Sequence, residues 1–162
     1  MIDEIKAIKQ TFISESTDLL ETMEEALLKL EKNPGDGDII NTLFRSVHTI
    51  KGSSGMVGFE DIEKFTHTFE NVLTQVRNGK LEINQNIIDT FLDCKDYISE
   101  MIRICAIEDS ILPEETRIKG DLLKIKLQKL INEEKREEKI ECTDLGNSVN
   151  KEGVWHISVK FS

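Results

Sequence analysis

The sequence predicts an all-α protein, an antiparallel up-down four-helix bundle with a fifth helix packed alongside. Three observations indicate this fold. Apolar residues recur every three or four positions through most of the chain, which is the spacing of one helix face. The 162 residues contain only two prolines, which break helices. Charged residues reach 32% and aromatic residues only 6%, a composition typical of long helices with solvated faces.

The first two helices are separated by a strong break in the helical pattern. The first is predicted over about 3–32, and Asn33, Pro34 and Gly35 end it. Asp36 or Asp38 can cap the second helix, since a carboxylate accepts hydrogen bonds from first-turn N–H groups. This helix runs to about 57, where glycine 58 favours a stop. The expected buried residues of the first helix are Ile2, Ile5, Ile8, Phe12, Ile13, Leu19, Leu20, Met23, Ala26, Leu27 and Leu30. Those of the second helix are Ile39, Ile40, Leu43, Phe44, Val47 and Ile50.

Three more helices follow with short connections. The third is predicted over about 60–78, the fourth from a cap at Asn84 to about 106, and the fifth over about 114–139. The expected buried residues of the third are Ile62, Phe65, Phe69, Val72, Leu73 and Val76. Those of the fourth and fifth are Ile87, Ile88, Phe91, Leu92, Ile98, Met101 and Ile102, then Ile118, Leu122, Leu123, Ile125, Leu127, Leu130 and Ile131.

The pattern changes beyond the fifth helix. Residues 140–152 are polar and suggest a linker, and in 153–162 apolar residues alternate with polar ones, as in a half-buried strand. A single strand is not stable alone, because its edges need partners. We therefore expect a bundle at 1–139, a linker at 140–152 and the truncated start of a following domain at 153–162. The alternative is that this strand pairs with its counterpart in another molecule.

Charge and cysteine usage exclude several classes of function. The net charge of −10 repels nucleic acid and anionic lipid, so a protein partner with a basic surface is favoured; the alternative is that acidity serves solubility alone. No stretch approaches the ~20 apolar residues of a membrane span, and the first residues lack a signal core. The three cysteines have no paired spacing. We expect a reduced, cytoplasmic protein without membrane insertion.

His48 is the candidate functional residue. Lys51 lies three positions later on the same face of the second helix. Gly52 and Gly55 follow, and each costs about 1 kcal/mol relative to alanine inside a helix. We therefore expect a surface that something approaches closely; the alternative is tight packing against a neighbouring helix.

A second histidine and a carboxylate occupy the third helix. His67 and Glu70 are three positions apart on the side away from its apolar residues. In an antiparallel pair of helices, Glu70 can face His48. A carboxylate that accepts a hydrogen bond from one ring nitrogen fixes the tautomer and makes the other nitrogen a better nucleophile. Lys51 can then neutralise an arriving phosphate.

The segment 48–59, H-T-I-K-G-S-S-G-M-V-G-F, resembles the H-x-x-K-G-x-x-x-x-x-G-F segment of histidine phosphotransfer (HPt) domains. It is most similar to the N-terminal phosphoacceptor domain of CheA-type chemotaxis histidine kinases. The similarity extends through 66–73, which matches T-H-x-x-E-x-x-L, and through 87–92, and it covers about 1–131. Ser53 and Ser54 stand where glycine or alanine is frequent in that family.

The resemblance implies a role for each residue of the site. His48 would accept a phosphoryl group on Nε2, Glu70 would orient its ring, Lys51 would serve phosphate electrostatics, and His67 would complete the polar network. The donor would be ATP held by the kinase domain of the same protein, in trans within a homodimer. The acceptors would be aspartates of response regulators resembling CheY and CheB. We expect this chain alone to be a monomer with no kinase activity, no metal and no bound cofactor.

Three alternatives remain open at this point. One is a freestanding phosphorelay carrier that takes its phosphoryl group from an aspartate. Another is a metal-binding bundle that uses His48, His67 and Glu70, which the neighbouring Lys51 disfavours. The last is a helical scaffold without chemistry.

Overall fold

The computed structural model describes residues 2–108 and 111–150, with the backbone alone at 108 and 134–150, and these residues form five α-helices. The helices are α1 (Ile2–Lys32), α2 (Gly37–Met56), α3 (Glu60–Arg77), α4 (Gln85–Glu108) and α5 (Glu114–Asn150). No strand occurs within these two ranges. The prediction of an all-α fold is confirmed.

The first four helices form a closed ring around the core. α1 packs against α2 and α4, α3 packs against α2 and α4, and α5 lies outside the ring against α3 and α4. Short connections make consecutive helices antiparallel, so the predicted up-down bundle with a fifth packed helix is confirmed. The most extensive contact joins α2 to α3, which are the two helices that carry the candidate site.

Polar side chains cap two helix N-termini as the sequence indicates. Asp36, the first of the two candidates, accepts hydrogen bonds on Oδ1 from the N–H groups of Asp38 at 3.0 Å and Ile39 at 3.3 Å. Asn84 Oδ1 accepts one from the N–H of Ile87 at 2.9 Å. Because the first N–H groups of a helix have no partner inside it, these caps determine where α2 and α4 begin.

Glycines end α2 and α3. Gly58 has φ +86° and Gly79 has φ +76°, both in the left-handed region that other residues rarely adopt. The chain therefore turns within a few residues after each helix, and α2 and α3 are held as close antiparallel neighbours.

The core lies along the axis of the ring and is built from large apolar side chains. Phe69 of α3 meets Phe91 of α4 with ring centres 5.1 Å apart, and Phe65 meets Tyr97 edge to face at 4.7 Å. Such tilted contacts are the favoured geometry for aromatic pairs. The other large, fully buried side chains are Met23, Leu27, Leu30, Leu43, Ile50, Ile62, Leu73, Ile87 and Ile88.

The start of α1 is less buried than its pattern predicts. Ile2, Ile5 and Ile8 belong to the expected apolar face, yet all three are exposed. The reason is length: α1 has 31 residues, whereas its neighbours α2 and α4 have 20 and 24. The first turns of α1 therefore reach beyond the full cover of these helices, and among the described side chains none buries Ile2, Ile5 or Ile8.

The fifth helix also differs from its prediction on one face. Ile118, Leu122 and Ile125 were expected to be buried but are exposed, whereas Leu123 and Leu127 face α3 and α4. A helix that packs against the outside of a ring has neighbours on one side only, so an apolar stripe on its other side stays exposed.

The end of α5 lies further along the chain than predicted. The helix continues to Asn150 instead of ending near 139, so most of the predicted linker at 140–152 is helical. Glutamate, lysine and arginine have high helix propensity and fill 133–139, which favours continuation of the helix. The predicted strand within 153–162 lies outside the described residues.

The surroundings of the cysteines and the character of the helices bear on two expectations, that the protein is reduced and that it does not insert into a membrane. Cys94 is fully buried among the apolar residues of α4, and burial raises the pKa of its thiol far above the ordinary value. Cys105 is half-buried and packs against the core. Among the described helices, none combines the length and the apolar character that crossing a lipid bilayer requires.

Candidate functional site

The site is a histidine on α2 held by a carboxylate on α3. His48 Nδ1 lies 3.1 Å from Glu70 Oε1, at hydrogen-bonding distance. The His48 side chain is 60% exposed, whereas that of Glu70 is only 13% exposed. The imidazole therefore sits at the surface, with its partner partly enclosed between the helices. Buried residues next to both, Val47 on α2 and Phe69 on α3, fix this register.

The contact with Glu70 determines which ring nitrogen is available. An ionised carboxylate only accepts hydrogen bonds, so the proton of the neutral imidazole resides on Nδ1. The lone pair is then on Nε2. Among the described residues, His48 Nε2 has no hydrogen-bond partner. The arrangement presents a nucleophilic nitrogen to an incoming group from solvent.

Lys51, on the next turn of α2 after His48, also contacts Glu70. Its Nζ lies 2.7 Å from Glu70 Oε2, so one carboxylate holds both His48 and Lys51. Partial burial pushes the pKa of Glu70 upward, but its contacts with Lys51 and His48 outweigh burial and leave that pKa below the ordinary value. Glu70 is therefore ionised at neutral pH. The role of Lys51 toward phosphate stays a prediction, and the structure shows its ammonium on Glu70 instead.

Two residues near the site, one beside His48 and one in contact with the first, were not singled out as site residues from the sequence. The ring of Phe44, one turn earlier on α2, is nearly parallel to the imidazole at 10° with ring centres 6.1 Å apart. The guanidinium carbon of Arg77 lies 3.9 Å from the centre of the Phe44 ring. Helical spacing alone places Phe44 next to His48, and Arg77 lies seven positions after Glu70, two turns along α3.

The structure does not bring His67 into this cluster. It is exposed on α3, and within the described part of the chain it makes no hydrogen bond, ion pair or ring contact. Its place in a polar network stays a prediction. Nor does the described part of the chain contain a set of three His, Cys, Asp or Glu side chains grouped as a metal ion requires. Metal binding by His48, His67 and Glu70 therefore gains no support.

The two glycines beyond His48 have different surroundings. A Cβ added to Gly52 would meet nothing within 4 Å, so this position is open to a visitor. A Cβ added to Gly55 would lie 2.9 Å from Glu63 Oε2 on α3. Gly52 thus fits the expected close-approach surface, whereas Gly55 fits the alternative of packing against a neighbouring helix.

A protein-family model supports what this geometry suggests. The model of the Hpt domain matches residues 7–104, which is more than half of the chain and includes all of α2 and α3. The chain belongs to the Hpt domain family. The matched range includes His48, Lys51 and Glu70.

Curated relatives of this Hpt domain are chemotaxis proteins called CheA. It is 39% identical over 92 residues to CheA of Bacillus subtilis, a match that covers 57% of this chain and 14% of that protein. It is 38% identical over 99 residues to CheA of Salmonella typhimurium, covering 61% and 15%. The matched region thus corresponds to about 15% of the length of these relatives.

Solved structures agree with the fold. The CheA phosphotransferase domain from Thermotoga maritima is 35% identical, with a TM-score of 0.59 and coverage of 61% of this chain and 94% of that one. A histidine phosphotransfer domain of CheA solved in solution is 34% identical, with a TM-score of 0.62 and coverage of 71% and 87%. The phosphorylated P1 domain of a CheA protein from R. sphaeroides, solved in complex with a CheY protein, is 24% identical and shares the fold with a TM-score of 0.69, covering 77% and 98%.

The open surface at Gly52 makes one prediction about this Hpt domain. Gly52→Ala should stabilise the fold by up to about 1 kcal/mol, because alanine favours a helix interior and its methyl group meets no atom. The same methyl group should slow phosphorylation of His48 by a kinase domain by about tenfold, since displacing reacting atoms by about 1 Å costs up to about 100-fold. Urea unfolding and phosphorylation rates measure the two effects.

Gly55→Ala is the matched control. It adds the same methyl group one turn further along α2, where it meets the movable end of the Glu63 side chain. We expect its phosphorylation rate to stay within about twofold of the parent, since the reacting geometry at His48 is unchanged. Equal slowing in both variants would show that the open position at Gly52 has no special part in access. A destabilised Gly52→Ala would show that the added methyl group does not have open space there.

Proposed function

We propose that this Hpt domain carries a phosphoryl group on His48 Nε2 for a CheA-type chemotaxis kinase. One observation carries the proposal most strongly: the Nδ1 of a largely exposed histidine is held by a partly enclosed carboxylate at 3.1 Å, which leaves Nε2 without a hydrogen-bond partner among the described residues. The likeness to CheA proteins over α1 to α4 supports the assignment to this class of kinase.

The chemistry of phosphorylation follows from this geometry. The Nε2 lone pair attacks the γ-phosphorus of ATP held by a separate kinase domain, so that a nitrogen–phosphorus bond forms and the bond to the ADP oxygen breaks. The imidazole gains positive charge while Nδ1 keeps its proton. Glu70 offsets that charge through the hydrogen bond, and Lys51 keeps Glu70 ionised. The partly enclosed carboxylate therefore stabilises the state in which the ring is positive.

The second half of the cycle returns the site to its starting state. An aspartate carboxylate of a response regulator attacks the phosphorus, an oxygen–phosphorus bond forms, and the bond to Nε2 breaks. The imidazole leaves as a neutral ring with its proton still on Nδ1. The same hydrogen bond to Glu70 thus serves both directions, because it is kept throughout.

The partners belong to the same proposal. A CheY-type regulator is supported by the R. sphaeroides complex between a CheA P1 domain and a CheY protein, because the P1 domain of that complex shares the fold of this chain. A CheB-type regulator as a second acceptor, a kinase domain acting in trans within a homodimer, and a cytoplasmic location are supported by the resemblance to CheA-type kinases. ATP is the source of the phosphoryl group and binds the kinase domain rather than this one.

The rival interpretations explain less of the site. A scaffold without chemistry gives no reason for an exposed histidine to be held by a carboxylate that is 13% exposed. A freestanding carrier charged from an aspartate would use the same atoms, so the geometry does not favour it over the CheA-type assignment.

Two successive transfers, from ATP to this chain and from this chain to a response regulator, test the proposal. The chain is mixed with labelled ATP and the kinase core of the Bacillus subtilis relative without its own Hpt part. We expect acid-labile phosphate on this chain, followed by its loss to an added CheY-type regulator. The relative's own Hpt domain serves as the positive control. If that control is labelled and this chain is not, the proposed function is wrong.

A further inference from the structure

The hydrogen bond to Glu70 leaves one degree of freedom of the His48 ring undetermined. The imidazole moves by its χ1 and χ2 torsions, and a single distance between Nδ1 and Oε1 restrains only one combination of them. Because the side chain is 60% exposed, little else surrounds it. In-line attack requires the Nε2 lone pair to point at phosphorus, so the tilt of the plane matters for the reaction.

The Phe44 ring supplies a reference plane for the imidazole. It projects from the preceding turn of α2, and the two rings are within 10° of parallel with centres 6.1 Å apart. Phe44 is itself half-buried: one part of its ring packs against the core, and the rest is open to a further contact. A contact on the open part would add to the restraint from packing and help to set the tilt of His48.

Arg77 provides that hold from the last turn of α3. Its guanidinium carbon lies 3.9 Å from the Phe44 ring centre, well inside the range in which a cation is attracted to the negative face of an aromatic ring. A planar guanidinium over the face of a ring also restricts the turning of that ring. The contact joins the end of α3 to the middle of α2 beside the phosphoacceptor.

We propose that Arg77 and Phe44 are positioning residues for His48: Arg77 holds the Phe44 ring, and that ring sets the plane of the imidazole for attack through Nε2. In this role both residues act on the orientation of the ring and not on the phosphoryl group. The inference rests on the proposed function, because the tilt of the ring matters only if His48 is a nucleophile. It assigns α3 a second contribution to the site beyond Glu70.

Phosphorylation of the full chain by phosphoramidate tests the inference without a protein partner. Nε2 attacks the phosphorus of this small donor, the phosphorus–nitrogen bond of the donor breaks, and ammonia leaves. Rates are measured for the parent, Arg77→Gln, Phe44→Leu and the double variant. Arg45→Gln is the matched control, since it removes an exposed cation from α2 three positions before His48 that, among the described residues, makes no cation–π contact with the Phe44 ring.

The expected rates follow from the proposed chain of contacts. Arg77→Gln should be slower by about two- to fivefold, the rate equivalent of one exposed cation–π contact. Phe44→Leu should be slower by about tenfold or more, because lost orientation of reacting atoms costs up to about 100-fold. The double variant should match Phe44→Leu alone, since Arg77 acts only through that ring. Arg45→Gln should match the parent.

Two rate patterns would overturn the inference. Additive losses in the double variant would mean that Arg77 acts independently of Phe44. Equal slowing in Arg45→Gln and Arg77→Gln would mean that positive charge near the site matters instead of the contact with the ring.

Nuclear Overhauser contacts between the imidazole and Phe44 ring protons give a second readout that needs no phosphorylation. They should weaken in Arg77→Gln and persist in Arg45→Gln; undiminished contacts in Arg77→Gln would overturn the inference. If the parent accepts no phosphate from phosphoramidate or the kinase core, the proposed function fails. The hold of Arg77 on the rings is then decided by these contacts alone.

Discussion

Replacement of His48 by glutamine is expected to abolish phosphate incorporation. Glutamine keeps a polar side chain of similar reach on α2 but has no nitrogen lone pair able to attack phosphorus. Because the His48 side chain is 60% exposed, its loss removes little packing, and the bundle should fold unchanged. The measurement is acid-labile label on the chain after incubation with labelled ATP and a CheA-type kinase core, with circular dichroism to confirm helicity.

His67→Gln is the companion variant for this experiment. His67 is exposed on α3 and, among the described residues, makes no contact with the site, so label should still appear. The rate in that variant measures whether His67 has any part in a polar network. Acid-labile phosphate that persists in His48→Gln would assign the nucleophile to another residue and would contradict both the resemblance and the geometry.

The helices and their caps were largely predictable because their causes are local. Asp36 and Asn84 each precede a run of helical periodicity, and glycines follow α2 and α3 where the left-handed turn is needed. The buried faces of α2, α3 and α4 follow the same periodicity, since each has neighbours along its length. These features depend on residues within a few positions of one another.

The exposed apolar residues were not predictable, because they depend on relative lengths and positions of helices. The periodicity of α1 shows that Ile5 and Ile8 share a face with Phe12, but it does not show that α2 is too short to cover that face. The same holds for Leu122 and Ile125 of α5, which lie on its uncovered side. An apolar stripe predicts that a face is suited to burial, whereas the neighbours decide whether it is buried.

The proximity of His48, Lys51 and Glu70 was predictable from spacing and antiparallel packing, but not all of their contacts were. The spacing of His48 and Lys51 places them on one face, and antiparallel packing brings Glu70 opposite. That Lys51 would settle on Glu70, instead of remaining apart for phosphate, depends on side-chain geometry that spacing does not specify. The contact between Arg77 and Phe44 likewise depends on where α3 ends relative to α2.

Removal of the carboxylate by Glu70→Ala is expected to slow phosphorylation of His48 by about 10- to 100-fold. A hydrogen bond to a charged partner contributes about 1.5–3 kcal/mol, and each 1.36 kcal/mol corresponds to about tenfold in rate. Helicity should stay nearly intact, since alanine favours helices. Single-turnover labelling with a kinase core and circular dichroism measure the two properties. Equal rates in variant and parent would remove Glu70 from the mechanism.

Glu70→Gln separates orientation from charge. Glutamine keeps the size of the side chain and an oxygen that accepts a hydrogen bond from His48 Nδ1–H, but it carries no negative charge. If Glu70 serves only to orient the ring, Glu70→Gln should react nearly as fast as the parent. If it also offsets the positive charge that develops on the imidazole, the rate should fall toward that of Glu70→Ala. We expect the second result, because Lys51 holds Glu70 in its ionised form.

The parent and Glu70→Gln also test the ionisation of Glu70, because the pH dependence of their unfolding free energies depends on it. Its pKa in the fold lies below the ordinary 4.5, because the contacts with Lys51 and His48 outweigh partial burial. A depressed carboxyl pKa contributes stability that is present above the unfolded value and is lost as pH falls through the folded value. The advantage of the parent over Glu70→Gln in the free energy of unfolding in urea should therefore shrink as pH falls from about 5 to about 3. A difference that grows over this range would mean that the fold raises the pKa of Glu70 and would contradict the hold of Lys51 and His48 on an ionised carboxylate.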